Sequence, residues 1–279
     1  MNVFIGYFSG TGNTRLTAET YGTWLREAGH QVDMAAMEAC DRAEAARLMA
    51  ACDLLILGGP IYAGNMPDFM IQWVRKVVPA TQGTRAIVFS TSAGLANAHG
   101  VRSIGKKLVG KGYRVIDTQT FEMPRNFYID KYAPTPREEQ GRQLKQMIGQ
   151  VAGSLARMGE SVGAGVIGSA DGTVGAKGAE GAGGMSFPGS VLGVDLLADV
   201  FRIMAKSMGH NFTMDETCIG CGTCERKCPK ANIRVAEKRF GSQCMMCTRC
   251  IHNCPVNAIR YKGKKIEQYK VGPGTVNKV

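Results

Sequence analysis

Long apolar runs and aromatic residues are scarce in this 279-residue sequence. No stretch reaches the roughly 18 consecutive apolar residues that a membrane-spanning helix needs, so we predict no membrane span. The N-terminus, MNVFIGYFSG, lacks the basic segment and the cleavage site of a signal peptide, and we therefore expect a cytoplasmic protein. Acidic residues are also fewer than basic ones. The sequence contains 23 Asp and Glu and 34 Lys and Arg, which gives a formal charge of +11.

Histidine is rare as well, and the four that occur are scattered along the chain. No general acid–base pair is visible around them, so we assign no catalytic residue. The apolar share of 44% and the charged share of 20% exclude wholesale disorder. The length suits about two domains.

The chain divides into three regions of different composition. Residues 1–158 alternate β-rich and helical segments, which predicts an α/β fold with a doubly wound, five-stranded parallel sheet. Residues 159–209 are predicted to be a Gly-rich linker followed by a connecting helix, because 12 of the 35 residues in 159–193 are Gly. Residues 210–279 contain the cysteine motifs. The predicted strands span 2–8, 30–37, 53–59, 85–91 and 113–123, and the predicted helices span 14–28, 42–51, 67–78, 99–110 and 137–158.

Eight of the ten cysteines lie between Cys218 and Cys254, in two copies of the pattern C-x-x-C-x-x-C-x-x-x-C-P. Without a secretion signal such a cluster predicts metal ligands rather than disulfides. Three thiolates at intervals of three wrap a 4Fe–4S cluster, and the fourth ligates the other cluster. The first cysteine set is therefore Cys218, Cys221, Cys224 and Cys254, and the second cysteine set is Cys244, Cys247, Cys250 and Cys228. The alternative is a pair of structural zinc sites, although zinc ribbons use cysteine pairs separated by a longer insertion.

The two cysteine motifs resemble those of bacterial two-cluster ferredoxins, over about 210–262. This resemblance implies a small α+β domain with two 4Fe–4S clusters that transfers single electrons at low potential. It implies no substrate chemistry at the clusters themselves.

A second motif follows the first predicted strand and opens the first helix. Backbone N–H groups at such a position favour a phosphate, and hydroxyl side chains add further donors. The loop lacks the lysine of a P-loop, and Arg15 replaces the third glycine of a dinucleotide fingerprint. An ordinary Gly-rich turn is the alternative interpretation. The predicted phosphate loop consists of Ser9, Gly10, Thr11, Gly12, Asn13 and Thr14.

The segment YFSGTGNTR is similar to the phosphate loop of flavodoxins, and the resemblance extends over 1–158. It implies a flavodoxin-like sheet of strand order 2-1-3-4-5 and one non-covalent FMN at the carboxyl ends of the strands. Two further loops would then bracket the flavin ring, with Tyr62 stacked on it; simple packing is the alternative role for this tyrosine. The predicted ring-loop residues are Gly59, Pro60, Ile61, Tyr62, Ala63 and Gly64, followed by Ser90, Thr91, Ser92, Ala93 and Gly94.

Another segment at this edge of the sheet, Pro124 to Tyr128, follows the fifth predicted strand. Asn126 within it would contact the flavin or the other domain, or serve only as a turn residue. The whole chain resembles fusions of a flavodoxin with a two-cluster ferredoxin, which carry a similar segment.

These features predict an electron carrier that passes electrons between FMN and two 4Fe–4S clusters. The alternatives are an FMN-dependent reductase of a quinone or nitro compound, fed by the clusters, and a non-redox sensor. Residues 211–279 carry 13 Lys and Arg against 5 Asp and Glu, so we expect acidic redox partners such as a ferredoxin, a flavodoxin or a reductase. No recognised nucleic-acid module accompanies the basic residues, and we expect no nucleic-acid partner.

Overall fold

A computed structural model describes residues 1–62, 65–93, 99–126, 134–159, 208–269 and 271. These residues form two units, which we call the sheet unit and the cysteine unit. The predicted linker and connecting helix, apart from residues 159, 208 and 209, lie outside the described residues. So do three predicted ring-loop residues, Ala63, Gly64 and Gly94.

The sheet unit is built on five parallel strands in the order β2-β1-β3-β4-β5, which confirms the predicted flavodoxin-like fold. Every residue of β3 is buried, as expected for a parallel strand covered on both faces. In chain order the strands are β1 (Asn2–Tyr7), β2 (Gln31–Ala36), β3 (Leu54–Pro60), β4 (Arg85–Ser92) and β5 (Arg114–Glu122).

Helices cover both faces of this sheet. A right-handed crossover places its helix on one face where strands are added in one direction, and on the other face where that direction reverses. Helices α1 and α5 pack on the face that buries Ile56 and Phe89. Helices α2, α3 and α4 pack on the opposite face against Leu55 and Leu57. The five helices are α1 (Asn13–Glu27), α2 (Arg42–Ala50), α3 (Asp68–Lys76), α4 (His99–Val109) and α5 (Arg137–Ala156).

Strands β3 and β4 extend further than the sequence predicts. Pro60 pairs with Thr91, and each strand runs one residue beyond its predicted end, to Pro60 and to Ser92. Pro60 is tolerated because β1 pairs with β3 only as far as Gly58, so no partner on that side needs the missing N–H. The loops at this edge of the sheet are therefore shorter than predicted.

The cysteine unit is small, and antiparallel strand pairs hold it together. Strand β9 pairs with β6 and β10, and β7 pairs with β8. Its core includes Phe212, Ile251 and Tyr261 together with Cys224 and Cys254. Its elements are β6 (Phe212–Met214), α6 (Thr223–Arg226), β7 (Ile233–Arg234), β8 (Arg239–Phe240), α7 (Arg249–Asn253), β9 (Ile259–Tyr261) and β10 (Lys264–Lys265).

The sequence repeat reappears in the backbone of the cysteine unit. In each motif, residues at equivalent positions have a positive backbone φ, in the left-handed region. This conformation lets the loop turn back around its cysteines. In the second motif these residues are not glycines. The equivalent pairs, each 26 residues apart, are Gly220 and Met246, Gly222 and Thr248, and Ala231 and Asn257.

None of the helices in the described part of the chain combines the length and the hydropathy that crossing a bilayer requires.

Candidate cofactor sites where the two units meet

The segments that follow β1, β3 and β4 converge at the carboxyl edge of the sheet. The Thr14 hydroxyl at the start of α1 lies 2.7 Å from the hydroxyl of Thr91, in a buried hydrogen bond. The Ile61 N–H donates to the Thr91 carbonyl at 2.9 Å. The structure thus brings the predicted phosphate loop next to the described residues of both predicted ring loops.

The phosphate loop leads into the N-terminus of α1. Gly12 precedes the helix with a φ of 113°, and its N–H donates to Ser9 Oγ at 3.1 Å. No side chain caps the helix and its first turn contains no acid. Because the first N–H groups of a helix have no partner within it, this end favours an anion. The donor set, backbone amides beside three hydroxyl side chains, therefore fits a phosphate.

Two asparagines at this edge have structural partners. The Asn13 amide group donates to the Pro124 carbonyl at 3.0 Å, and its Oδ1 accepts from the Tyr269 hydroxyl at 2.8 Å. Asn126 donates to the Thr11 hydroxyl. The side chain of Asn13 thus joins the two units, and Asn126 contacts the phosphate loop directly.

Tyr62 reaches into the phosphate loop. Its hydroxyl lies against Gly10, and its ring packs edge-on against Phe8 with centroids 6.4 Å apart. Burial raises the pKa of Tyr62 well above its usual value, and a hydrogen bond with the Gly10 backbone opposes this shift only in part. The hydroxyl is therefore a neutral group in contact with the loop. Stacking of Tyr62 on a flavin remains a prediction; its packing role is observed.

The other described ring-loop residues serve the packing of the sheet. A Cβ on Gly59 would lie 2.6 Å from Met70 Cε of α3, so the end of the Met70 side chain packs directly on this glycine. The Ser90 hydroxyl donates to Thr120 of β5 at 3.1 Å. Thr91 pairs with Thr14, as above, while Ser92 and Ala93 lie at the end of β4.

The first cysteine set lines one cavity of the cysteine unit. The wall of this cavity also includes Ile219 and Val256. The Cys221 side chain is exposed, whereas Cys224 and Cys254 are buried. All four residues of this set, Cys218, Cys221, Cys224 and Cys254, contribute to the wall.

The second cysteine set lines a separate cavity, whose wall includes Met245 and Arg249. Cys228 comes from the first motif, yet it lies with the three cysteines of the second. The fourth cysteine of each motif therefore crosses to the other motif's cavity. The four residues of this set are Cys228, Cys244, Cys247 and Cys250.

Backbone N–H groups point at sulfur at equivalent positions of the two motifs. The Asn232 N–H lies 3.3 Å from Cys228 Sγ, and the Ala258 N–H lies 3.2 Å from Cys254 Sγ. Such bonds stabilise thiolate and tune the potential of a cluster. Across the described residues, no group of three His, Cys, Asp or Glu is gathered closely enough for a single metal ion.

Burial raises the pKa of cysteines in both sets, including Cys224 in the first. Burial raises the pKa of Cys247 to about 12 and raises the pKa values of Cys244 and Cys250, because a desolvated thiolate is unfavourable. Hydrogen bonds with Thr223 lower the pKa of Cys221 instead.

Arg249, between two cysteines of the second set, holds the two units together. Its guanidinium donates to the Ser9 carbonyl at 2.6 Å, forms an ion pair with Glu38 and lies 5.0 Å from the centre of the Phe8 ring. The side chains of Arg249 and Glu38 are each only 14% exposed. Sequence analysis missed both residues, because nothing in their local pattern distinguishes them from the other charged residues.

The C-terminal segment adds to this contact. The Tyr269 N–H donates to His252 Nδ1 at 2.9 Å, and burial lowers the pKa of His252 to about 4, so this imidazole is neutral and accepts the bond. Val271 is buried in the core of the α1 and α5 face.

A Cβ on Gly10 would lie 2.7 Å from the Cys247 carbonyl oxygen. The second cysteine set therefore touches the phosphate loop.

These observations define a flavodoxin-like α/β unit joined to a cysteine-rich α+β unit at its phosphate loop. Among solved structures, flavodoxin 2 from Bacillus cereus is 19% identical over 57% of this chain and 98% of its own, with a TM-score of 0.43. The flavodoxin of Streptococcus pneumoniae TIGR4 is 20% identical over 55% of this chain and 98% of its own, with a TM-score of 0.38. Rubredoxin oxygen:oxidoreductase from Desulfovibrio gigas is 14% identical over 56% of this chain and 36% of its own, with a TM-score of 0.36.

No family model and no curated protein matches the chain. The fold of the sheet unit is defined by the strand order and register described above.

Proposed function

We propose that this protein is an electron-transfer protein that binds one FMN in the sheet unit and two 4Fe–4S clusters in the cysteine unit. The observation that carries the proposal is the contact between the second cysteine set and the phosphate loop. Cys247 lies against Gly10, so a cluster held there would adjoin a flavin bound through the same loop.

The FMN phosphate would bind at the N-terminus of α1. The backbone N–H groups of Thr11, Asn13 and Thr14 and the hydroxyls of Ser9, Thr11 and Thr14 supply the donors, and the helix dipole favours the negative charge. When bound, FMN exchanges one or two electrons and each cluster exchanges one, so the chain can convert between paired and single electrons. This property favours a carrier with protein partners.

The cluster assignment is supported by the way the cysteines group. Each cavity is lined by three cysteines of one motif and the fourth of the other, as the ligand exchange of two-cluster ferredoxins requires. Zinc ribbons use two cysteine pairs separated by a longer insertion, whereas each motif here has four close cysteines before a proline. The N–H groups directed at Cys228 and Cys254 suit thiolate ligands of a cluster.

The residues between the two centres have three roles. Arg249 fixes the distance between the second cysteine set and the phosphate loop through Ser9. Met245 packs against the core of the sheet unit and excludes water from the contact. Tyr269 attaches the C-terminal segment to the start of α1 through Asn13.

Anaerobic reconstitution followed by iron, sulfide and flavin analysis tests the proposal. We expect about eight iron, eight acid-labile sulfide and one FMN per chain, with two cluster signals in electron paramagnetic resonance. About four iron, or stoichiometric zinc, would contradict the cluster assignment. Steady turnover with a quinone, without any protein partner, would favour the alternative, a reductase fed by the clusters.

A further inference from the structure

Two of the exposed large apolar side chains lie together at the first cysteine set. Ile219 is 64% exposed and Val256 is 39% exposed, and both line the wall of its cavity. In the described part of the chain, the other large apolar side chain with such exposure is Val109, at the end of α4. Apolar side chains gathered at one exposed site mark a contact surface more often than isolated ones do.

The internal repeat shows what these positions do in the other motif. Ile219 and Cys221 correspond to Met245 and Cys247, 26 residues further along. Met245 and Cys247 pack against the apolar core of the sheet unit. In the second motif these two positions thus contact the sheet unit. In the first motif the residues at the same positions, Ile219 and Cys221, are exposed.

Charges of both signs lie around this open site, and Asp215, three residues before Cys218, pairs with Arg260. Arg226 is exposed, and its guanidinium donates to the Cys221 carbonyl at 3.0 Å, which places it beside the apolar pair. Of the acids nearby, Glu225 accepts from the Val235 N–H and lies 3.7 Å from Arg234, and Glu216 is exposed. Residues 211–279 carry 13 Lys and Arg against 5 Asp and Glu, so this region of the chain is basic overall.

We propose that the outer face, formed by Ile219, Cys221, Arg226 and Val256, is the docking surface for a small acidic protein that carries a one-electron centre. This inference rests on the proposed function. One electron leaves the partner's reduced centre and reduces the cluster of the first set, and the reverse transfer oxidises it. No bond forms or breaks in that step. An acidic partner follows from charge complementarity, and the apolar centre supplies the desolvated contact.

Stopped-flow reduction of the reconstituted protein by a reduced, acidic plant-type 2Fe–2S ferredoxin tests this inference. Ile219→Asp and Val256→Asp each place a negative charge in the apolar centre. We expect the second-order rate to fall at least about tenfold in each variant. The wild-type rate should fall as ionic strength rises from about 20 to about 300 mM. Added salt shortens the distance over which the charges of the two proteins attract each other to less than about 10 Å.

Two controls make the result specific. Val109→Asp adds the same charge to an exposed valine of the sheet unit, and we expect an unchanged rate. Photoreduced 5-deazariboflavin, a small neutral reductant, should reduce all variants equally. Iron content of about eight per chain shows that each variant retains its clusters.

The outcomes separate this inference from the proposed function. A protein that binds neither iron nor FMN contradicts the proposed function. A fully loaded protein whose rate with ferredoxin is unchanged by both outer-face variants, or equally lowered by Val109→Asp, overturns the docking surface alone. If a variant loses iron, calorimetric titration of Arg226→Gln with oxidised ferredoxin decides instead. We expect binding at least about fivefold weaker than wild type, and unchanged binding would overturn the inference.

Discussion

Replacing Arg249 by Met should loosen the contact between the two units while preserving the volume of the side chain. The substitution removes the ion pair with Glu38, the hydrogen bond to Ser9 and the cation–π contact with Phe8. Glu38 would be left as a largely buried carboxylate, and its second oxygen already lacks a hydrogen-bond partner.

The size of the effect follows from this burial. Removing one partner of a buried ion pair costs about 3–5 kcal/mol, largely because the remaining charge is uncompensated. Since both side chains are 14% exposed, we take the lower end, about 3 kcal/mol. At about 1.4 kcal/mol per factor of ten, the equilibrium between docked and separated units shifts by roughly 100-fold.

Hydrogen exchange at the Tyr269 amide measures that shift, because its N–H bond to His252 belongs to the contact. We expect exchange there to accelerate by up to about 100-fold in Arg249→Met, and electron transfer from the clusters to FMN to slow. Arg239→Met is the matched control, since Arg239 is 67% exposed and pairs with an exposed Glu237.

A double variant isolates the charge effect. Glu38→Gln should recover part of the loss in Arg249→Met, because it removes the uncompensated carboxylate. Unchanged exchange at Tyr269 in Arg249→Met would refute the view that this arginine holds the units together.

Three further predictions concern the phosphate loop and the clusters. Thr14→Val should weaken FMN by about 1.5–3 kcal/mol, the range for a bond to a charged group, while riboflavin, which lacks the phosphate, binds as before; equal loss for both ligands would argue against a phosphate site. Gly10→Ala should lower the midpoint of thermal unfolding, since its Cβ meets the second motif's loop, whereas Gly149→Ala, in open space on α5, should not. Cys228→Ser should abolish the second cluster's electron paramagnetic resonance signal and spare the first; loss of the first instead would exclude the ligand exchange.

Short-range patterns in the sequence determined much of the architecture. The alternation of apolar strands and amphipathic helices predicted all five strands and five helices of the sheet unit to within two residues at most of their ends. The cysteine spacing predicted which residues gather around each cavity, including the crossing of Cys228 and Cys254. These features depend on residue periodicity and local spacing, which the sequence displays directly.

The ends of β3 and β4 depended on their neighbours in the sheet. Gly, Pro and Ser at the end of a strand usually indicate a turn, but the ladder between Pro60 and Thr91 continues because each strand offers the other a hydrogen-bonding partner. Packing also decided the role of Gly59, whose missing side chain makes room for Met70 of α3.

The sequence by itself thus determined the fold of the sheet unit and the grouping of the cysteines, because both follow from regular patterns along the chain. Only the tertiary structure decided that the second cysteine set meets the phosphate loop and that the outer face of the first stays open. That arrangement depends on single contacts between residues more than 200 positions apart, such as Arg249 with Glu38 and Tyr269 with Asn13. Such contacts leave no periodic trace in the sequence, since each needs only one charge or one amide at the right point in space.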